Sequence, residues 1–189
     1  MAYLHNADAR LGAVMDAMGP LRREVIPDLF QALVNTVIGQ QISTKAQVTV
    51  WARFLEQFAP VTPRHIAALP LDTLRTCGIS TPKARYIQGI ARAVEAGQVD
   101  LTAVADMPDE LAIRTLGALP GIGRWSAQML LLFSLQRPDV VSHDDLGIRR
   151  GMCKLYHHRE LTPRLFQQHA RCYSPYGSVA SLYLWEIAK

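Results

Sequence analysis

Residues 119–150, LPGIGRWSAQMLLLFSLQRPDVVSHDDLGIRR, decide the fold of this chain. They open with a tight turn in which Gly121 and Gly123 can both adopt positive φ and let the backbone approach a bulky partner closely. Residues 124–135 follow; they are apolar on almost every side and of helical length, which predicts a buried helix. The first amides and the positive dipole end of that helix would point out of the turn, an arrangement that suits phosphate. A plain turn between two helices, with glycines as caps, explains the same pattern.

An acidic pair follows this helix. Residues 137–139, Arg-Pro-Asp, interrupt the helical pattern, and Asp144-Asp145 then stand at the start of another predicted helix. A single Asp in this position is usually an N-cap. Two adjacent carboxylates followed by Arg149-Arg150 are harder to explain by capping alone, so the pair is a candidate for chemistry.

The turn and the acid together resemble the helix-hairpin-helix DNA glycosylases, in particular the alkylation-repair branch typified by 3-methyladenine DNA glycosylase II. The motif LPGIGRW is followed about twenty residues later by an Asp before a helix. Three further stretches look like the same branch in the same order: residues 30–43 (FQALVNTVIGQQIS), 78–91 (GISTPKARYIQGIA) and 175–185 (PYGSVASLYLW). The resemblance therefore covers nearly the whole chain from about residue 28 onward.

The resemblance implies an all-α fold of two helical lobes with a central cleft, without the β-rich N-terminal domain of some relatives. We expect a single glycosylase domain over residues 1–189. Its hairpin lobe would span about residues 28–155, and residues 1–27 and 156–189 would form the second lobe. The residues themselves agree with the all-α class, since helical spacing recurs along the chain and no convincing alternating segment predicts a strand.

Local signals predict where several helices begin. Pro27 fits the first turn of a helix over residues 27–39, and Ser43 fits the N-cap of the next one. Three Thr-Pro pairs, which begin at Thr62, Thr81 and Thr162, each predict a Thr N-cap with Pro at the first helical position.

The helix after Ser43 carries apolar residues at helical spacing. We expect that face to be core; it comprises Val48, Trp51, Ala52 and Leu55.

The resemblance also implies roles for individual residues. The catalytic carboxylate falls on Asp145, with Asp144 as its neighbour. The remaining implied roles are a base pocket at Trp125 and Trp185, DNA-backbone contacts at Gly121, Gly123, Arg124 and Arg149, a wedge at Gln41 or Ile42, and carbonyl ligands for Na⁺ or K⁺ at Gly117, Leu119 and Ile122. Core packing is the alternative for both tryptophans.

The expected chemistry is hydrolysis. Cleavage of a base from deoxyribose develops positive charge on the sugar, which a carboxylate such as Asp145 stabilises. Bases alkylated at ring nitrogens, such as 3-methyladenine and 7-methylguanine, carry a formal positive charge and leave without a general acid. Bifunctional relatives have a Lys where this chain has Trp125, and Trp cannot form a Schiff base. We therefore expect an abasic-site product and no strand cleavage.

Composition sets outer bounds on the function. The chain is 49% hydrophobic and 19% charged, with a net charge of +4, and 16 of its 20 basic residues are Arg. A mild basic excess rich in Arg permits a nucleic-acid partner without establishing one. Three cysteines without C-x-x-C spacing indicate reduced thiols, and four would be needed for the iron–sulfur cluster of some relatives. We expect no cluster and no required cofactor.

The sequence shows no targeting signal and no apolar stretch of membrane-spanning length, so we expect a cytoplasmic protein that does not bind membranes. The resemblance implies that it acts on double-stranded DNA that contains alkylated bases, and we expect it to be a monomer. The leading hypothesis is a monofunctional glycosylase of the DNA-3-methyladenine glycosylase II type, an enzyme of base excision repair. One alternative is a non-catalytic helix-hairpin-helix DNA-binding protein, and another is a glycosylase for a different lesion class. An all-α metabolic enzyme would leave the hairpin unexplained.

Overall fold

The computed structural model describes residues 2–189, and this part of the chain is all-α, with thirteen helices and no strand. The predicted fold class is confirmed. The helices are α1 (Ala2–Ala7), α2 (Ala9–Met18), α3 (Leu29–Gly39), α4 (Thr44–Phe58), α5 (Pro63–Ala68), α6 (Leu71–Arg75), α7 (Thr81–Glu95), α8 (Leu101–Asp106), α9 (Asp109–Gly117), α10 (Arg124–Phe133), α11 (Leu146–Tyr156), α12 (Pro163–Tyr173) and α13 (Gly177–Ala188).

Side-chain caps start most of the predicted helices. Ser43, Thr62 and Thr162 each accept a hydrogen bond from a backbone amide of the first turn, as predicted. Two predictions were wrong by one or two residues. Asp28, not Pro27, precedes the first turn of α3, because its carboxylate accepts from Gln31 N at 2.7 Å. Ser80, not Thr81, occupies the extended N-cap position of α7.

The chain divides into two compact units, which contain residues 25–135 (unit 2) and residues 2–24 with 136–189 (unit 1). The predicted lobe boundary near residue 155 is wrong, because α11 packs with the terminal helices. An added Cβ at Gly151 of α11 would lie 2.1 Å from the Leu184 carbonyl oxygen of α13. Only glycine permits so close a crossing of the two helix backbones.

The core of unit 1 forms around α2, α11, α12 and α13. Tyr156 and Tyr173 lie within it and share a hydrogen bond of 2.7 Å between their hydroxyl groups. The Tyr156 hydroxyl also donates to Asp8, the N-cap of α2, at 2.5 Å. This buried polar link ties α2, α11 and α12 together, and burial raises the pKa of both tyrosines.

The core of unit 2 contains the apolar faces of α3 and α10. Most apolar side chains of α3 are buried, as is most of α10. The predicted core face of α4 is wrong. Phe54 and Phe58 point inward, whereas Val48 and Leu55 are 63% and 37% exposed. The two Phe rings contact each other edge to face at 4.9 Å, so the buried face of α4 is the one that carries Phe54 and Phe58.

None of the helices in residues 2–189 is long and apolar enough to span a membrane.

Candidate active site

Asp145 is buried and held in one orientation. Its side chain is the N-cap of α11, and Oδ1 accepts from Ile148 N at 2.8 Å. The same oxygen accepts from the indole Nε1 of Trp185, also at 2.8 Å. The residue is 7% exposed. Two donors on one oxygen fix the orientation of the carboxylate.

Asp144 lies in a different environment. Its side chain is 54% exposed, and its Oδ1 is 3.8 Å from Nδ1 of His143. The ring of His143 packs edge-on against Phe166. The two carboxylates of the acidic pair are therefore not equivalent, and only Asp145 has the buried, hydrogen-bonded setting of a functional carboxylate.

Gly147 makes room for the contact between Trp185 and Asp145. An added Cβ there would lie 2.6 Å from Cδ1 of Trp185 and 3.1 Å from Oδ1 of Asp145. Any side chain at this position would displace the indole or the carboxylate. The sequence analysis did not identify Gly147 as a site residue. Its position two residues after Asp145, in the D-L-G triplet, could have indicated a close contact beside the carboxylate.

The hairpin consists of α9, the turn at residues 118–123, and α10. Gly121 has φ +75° at the tip of the turn, as predicted, and an added Cβ would lie 2.5 Å from the Tyr86 ring. Gly123 has φ −87°, so the expectation of positive φ is wrong for this residue. An added Cβ at Gly123 would meet no atom within 4 Å. Gly123 is also the N-cap of α10, without a side chain to cover the helix amides.

Trp125 lies in the first turn of α10 and is 41% exposed. Core packing, the alternative explanation for this aromatic, is therefore excluded. Arg124 beside it forms a bidentate pair with Glu110, with distances of 2.8 and 3.2 Å. This hydrogen-bonded pairing lowers the pKa of Glu110. Because both side chains are exposed, the pair is weak and open to exchange.

Residues 39–43 contain the predicted wedge and begin at the last residue of α3; they are called the wedge loop below. Gln41 is exposed and has φ +58°, and Ile42 is 39% exposed. The Gln40 side chain links this loop to the hairpin, since its Nε2 donates to the Gly121 carbonyl at 2.8 Å. Lys83, which sequence reasoning did not assign to the site, donates to two carbonyls at the end of α3.

The carbonyls predicted to bind a cation belong to the last residue of α9, Gly117, and to Leu119 and Ile122 of the hairpin turn. The Leu119 carbonyl accepts from Ile122 N at 3.1 Å, and the Ile122 carbonyl lies 3.9 Å from the Cβ position of Gly117. Elsewhere, residues 2–189 contain no group of three or more His, Cys, Asp or Glu side chains that could hold a metal ion.

Arg149 of α11 is partly buried, and its Nε atom is buried with no hydrogen-bond partner among the described residues. A buried donor without a partner is costly unless a ligand or water completes it.

A family model for HhH-GPD superfamily base excision DNA repair proteins matches residues 34–175, which include the wedge loop, the hairpin and Asp145. This chain belongs to the HhH-GPD superfamily.

Similar proteins of the superfamily are glycosylases. The DNA-3-methyladenine glycosylase 1 of Schizosaccharomyces pombe is 32% identical over an alignment of 167 positions that covers 85% of this chain and 72% of that protein. The DNA-3-methyladenine glycosylase 2 of Escherichia coli is 29% identical over an alignment of 193 positions, gaps included, that covers 96% of this chain and 64% of that protein.

Solved structures of HhH-GPD relatives match the same fold. A DNA-3-methyladenine glycosidase from Bacillus halodurans has a TM-score of 0.87 at 33% identity, covering 98% of this chain and 87% of that one. The 3-methyladenine DNA glycosylase of S. pombe in complex with abasic DNA has a TM-score of 0.85 at 28% identity, covering 98% and 94%.

Proposed function

We propose that this HhH-GPD protein is a monofunctional DNA glycosylase that hydrolyses the N-glycosidic bond of alkylated bases in duplex DNA and leaves an abasic site. The observation that carries the proposal is the buried carboxylate of Asp145, fixed by two donors on one oxygen. A binding module has no use for a buried, oriented carboxylate beside a polyanion. The names of the similar proteins supply the lesion class, 3-methyladenine and related bases.

In this mechanism Asp145 stabilises the sugar. As the bond to the base lengthens, positive charge develops on the anomeric carbon, and an ionised carboxylate lowers the energy of that transition state. The bonds from Ile148 N and Trp185 Nε1 hold the carboxylate in place before the reaction, so little reorganisation is needed. A base alkylated at a ring nitrogen leaves as a neutral molecule, so no general acid is required.

The two tryptophans have different proposed roles. Trp125 is exposed, and its electron-rich face suits a flipped cationic base, with about 0.5 to 2 kcal/mol available per cation–π contact. Trp185 combines a base-pocket role with the orientation of Asp145, since its N–H is already committed to the carboxylate. Because Trp125 stands where a Schiff-base Lys would be needed, the strand is not cut.

The hairpin is the proposed grip on the DNA backbone. The amides of Gly121 and Gly123 and the dipole of α10 suit a phosphate group. The open space beside Gly123 supports this role, since nothing in the described chain requires glycine there. Arg124 reaches phosphate by exchanging Glu110 for it. Arg149 of unit 1 is proposed as a separate contact to the DNA backbone.

The wedge is Gln41 in this proposal, with Ile42 beside it. Flipping leaves a gap in the base stack, and a side chain that fills it lowers the cost of flipping. Gln41 is exposed and follows directly after Gln40, which is hydrogen-bonded to both α7 and the hairpin, and this supports the choice over Ile42.

A monovalent cation, Na⁺ or K⁺, fits the hairpin turn in this proposal, since the carbonyls of Gly117, Leu119 and Ile122 are the hard oxygen donors such ions prefer. The ion would supply positive charge beside the phosphate.

We further propose that the protein works as a monomer. We also propose that it is located in the cytoplasm, where its three free cysteines would stay reduced.

The proposed function is tested by incubating the protein with methylated duplex DNA and separating the released bases by chromatography. We expect free 3-methyladenine or 7-methylguanine, matched by an equal number of alkali-labile sites in the DNA. Borohydride should trap no protein on the DNA, because no lysine occupies the Schiff-base position. A trapped complex, or strand breaks without alkali, would contradict the monofunctional mechanism. Tight DNA binding without base release would instead indicate a binding module.

A further inference from the structure

The wedge loop is hydrogen-bonded to two other segments of unit 2, helix α7 and the hairpin. Lys83 Nζ, at the start of α7, donates to the Ile38 carbonyl at 2.8 Å and to the Gln40 carbonyl at 2.6 Å. The end of α3 leaves such carbonyls without helical partners, and a cationic donor satisfies them strongly. Burial lowers the pKa of Lys83, as expected for an ammonium group that has exchanged water for carbonyls.

Both bonds lie directly before the residue proposed as the wedge, Gln41. Gln41 has φ +58°, a left-handed conformation that non-glycine residues adopt only where the surroundings hold it. The carbonyl of Gln40, directly before it, is bound by Lys83, while the Gln40 side chain is bound to the Gly121 carbonyl. The backbone on the N-terminal side of Gln41 is therefore fixed to both α7 and the hairpin.

One face of α7 contacts both the wedge loop and the hairpin turn. Lys83, Tyr86 and Gly89 are spaced three residues apart and lie on one side of the helix. The Tyr86 ring packs on Gly121, where an added Cβ would lie 2.5 Å away. Gly89 faces Pro120, whose Cγ would lie 3.1 Å from an added Cβ. The helix that holds the wedge loop through Lys83 thus also holds the phosphate-binding turn.

We propose that Lys83 is a positioning residue for base flipping, which sets the wedge residue Gln41 in register with the hairpin by binding the carbonyls of Ile38 and Gln40. The inference rests on the proposed glycosylase function. When the hairpin amides hold the backbone beside a lesion, this register decides where Gln41 enters the base stack. Lys83 acts through Gln41 and contacts neither the base nor the sugar.

The test is a double-mutant cycle with Lys83→Met, which keeps the length of the side chain and removes its donors, and Gln41→Ala. The readouts are the single-turnover rate of 7-methylguanine release and the fluorescence of 2-aminopurine placed next to an abasic-site analogue. We expect Lys83→Met to slow base release on the order of ten- to a hundredfold, with affinity for undamaged duplex almost unchanged. In the Gln41→Ala background it should add almost nothing.

Three variants separate positioning from other roles. Lys83→Arg keeps cationic donors and should restore part of the rate. Arg85→Met removes a charge from the exposed side of the same helix and should match the wild type. Gln40→Leu removes the hydrogen bond from the wedge loop to the Gly121 carbonyl. If Lys83→Met folds poorly, the double-mutant cycle is carried out with Gln40→Leu and Gln41→Ala instead.

Equal slowing by Lys83→Met with and without Gln41 would overturn the inference, as would an unchanged rate and an unchanged 2-aminopurine signal. A wild type that releases no base would instead contradict the proposed function. In that case the 2-aminopurine signal on the abasic duplex still decides the inference. A signal altered by Lys83→Met supports positioning, and an unaltered one refutes it.

Discussion

At the scale of single residues, the two hairpin glycines differ in what requires them. Gly121 is needed by the protein itself, since its positive φ and the Tyr86 ring both exclude a side chain. Gly123 has an ordinary φ and open space where a Cβ would lie. Only an external partner, in our proposal a phosphate, explains the small residue there.

Gly123→Ala should therefore leave the thermal stability unchanged and weaken binding to duplex DNA, because the methyl group would stand between the amides and the phosphate. Gly121→Ala should lower the melting temperature, since the left-handed backbone is strained for alanine and the methyl group collides with Tyr86. Thermal unfolding and fluorescence anisotropy with a labelled duplex measure the two effects. Unchanged DNA affinity in Gly123→Ala would remove this glycine from the phosphate site.

The sequence identified some site residues and missed others for physical reasons. Asp145 could be found because a cap position and a motif coincide in a short stretch. The bond from Trp185 to Asp145 could not, since it joins residues 40 apart and depends on how two helices pack. Lys83 was missed for the same reason, as its carbonyl acceptors lie 43 and 45 residues away.

At the scale of elements, helix starts were largely predictable because N-caps are local hydrogen bonds. The error at α7 is a competition between neighbours, in which Ser80 takes the extended cap position and Thr81 becomes the first helical residue. The error at α4 has another cause. Two apolar stripes compete on that helix, and only tertiary packing shows that the one containing Phe54 is buried.

The close crossing of α11 and α13 predicts a sensitive position. Gly151→Ala places a methyl group against the Leu184 carbonyl and should push the two helices apart. We expect a loss of about 1 to 3 kcal/mol in the free energy of unfolding. The melting temperature should fall by roughly 2 to 4 °C for each kcal/mol. Gly123→Ala, whose methyl group meets no atom, is the control, and equal melting temperatures for the two variants would contradict the packing argument.

The joint between α11 and α12 predicts a pH dependence. His169 stacks on Tyr156 at 3.6 Å, and its Nε2 lies 3.0 Å from Nε2 of His158. Burial, and then the neighbouring charge of His158, lower the pKa of His169 below 6.5. The unfolded chain therefore binds this proton more readily, so the stability contributed by neutral His169 is present above about pH 6.5 and is lost as the pH falls through the folded pKa.

Melting temperatures between about pH 7.5 and pH 5 measure this effect. His169→Gln should flatten the acid side of the profile, because it removes the titrating group. As a control, His65→Gln replaces a half-buried histidine of unit 2, away from this joint, and should leave the profile as in the wild type. A profile that His169→Gln does not change would contradict the assignment.

At the scale of the whole molecule, the class was predictable and the division of the chain was not. Helical periodicity along most of the sequence was enough to predict an all-α protein. The place of α11 in unit 1 follows from tertiary packing, such as the close approach of Gly151 to the Leu184 carbonyl, and such packing leaves no periodic signal in the sequence. Family membership rests on a match over residues 34–175, which is stronger support than the hairpin motif alone would give.

The most direct test of the central claim is base release from methylated duplex DNA by the wild type, Asp145→Asn and Asp144→Asn. The Asn side chain at 145 keeps an oxygen for Ile148 N and Trp185 Nε1, so the fold should survive while the negative charge is lost. The account predicts release by the wild type and by Asp144→Asn, whose side chain is exposed, and none above background by Asp145→Asn with DNA binding retained. Wild-type rates from Asp145→Asn would contradict the catalytic role of this carboxylate.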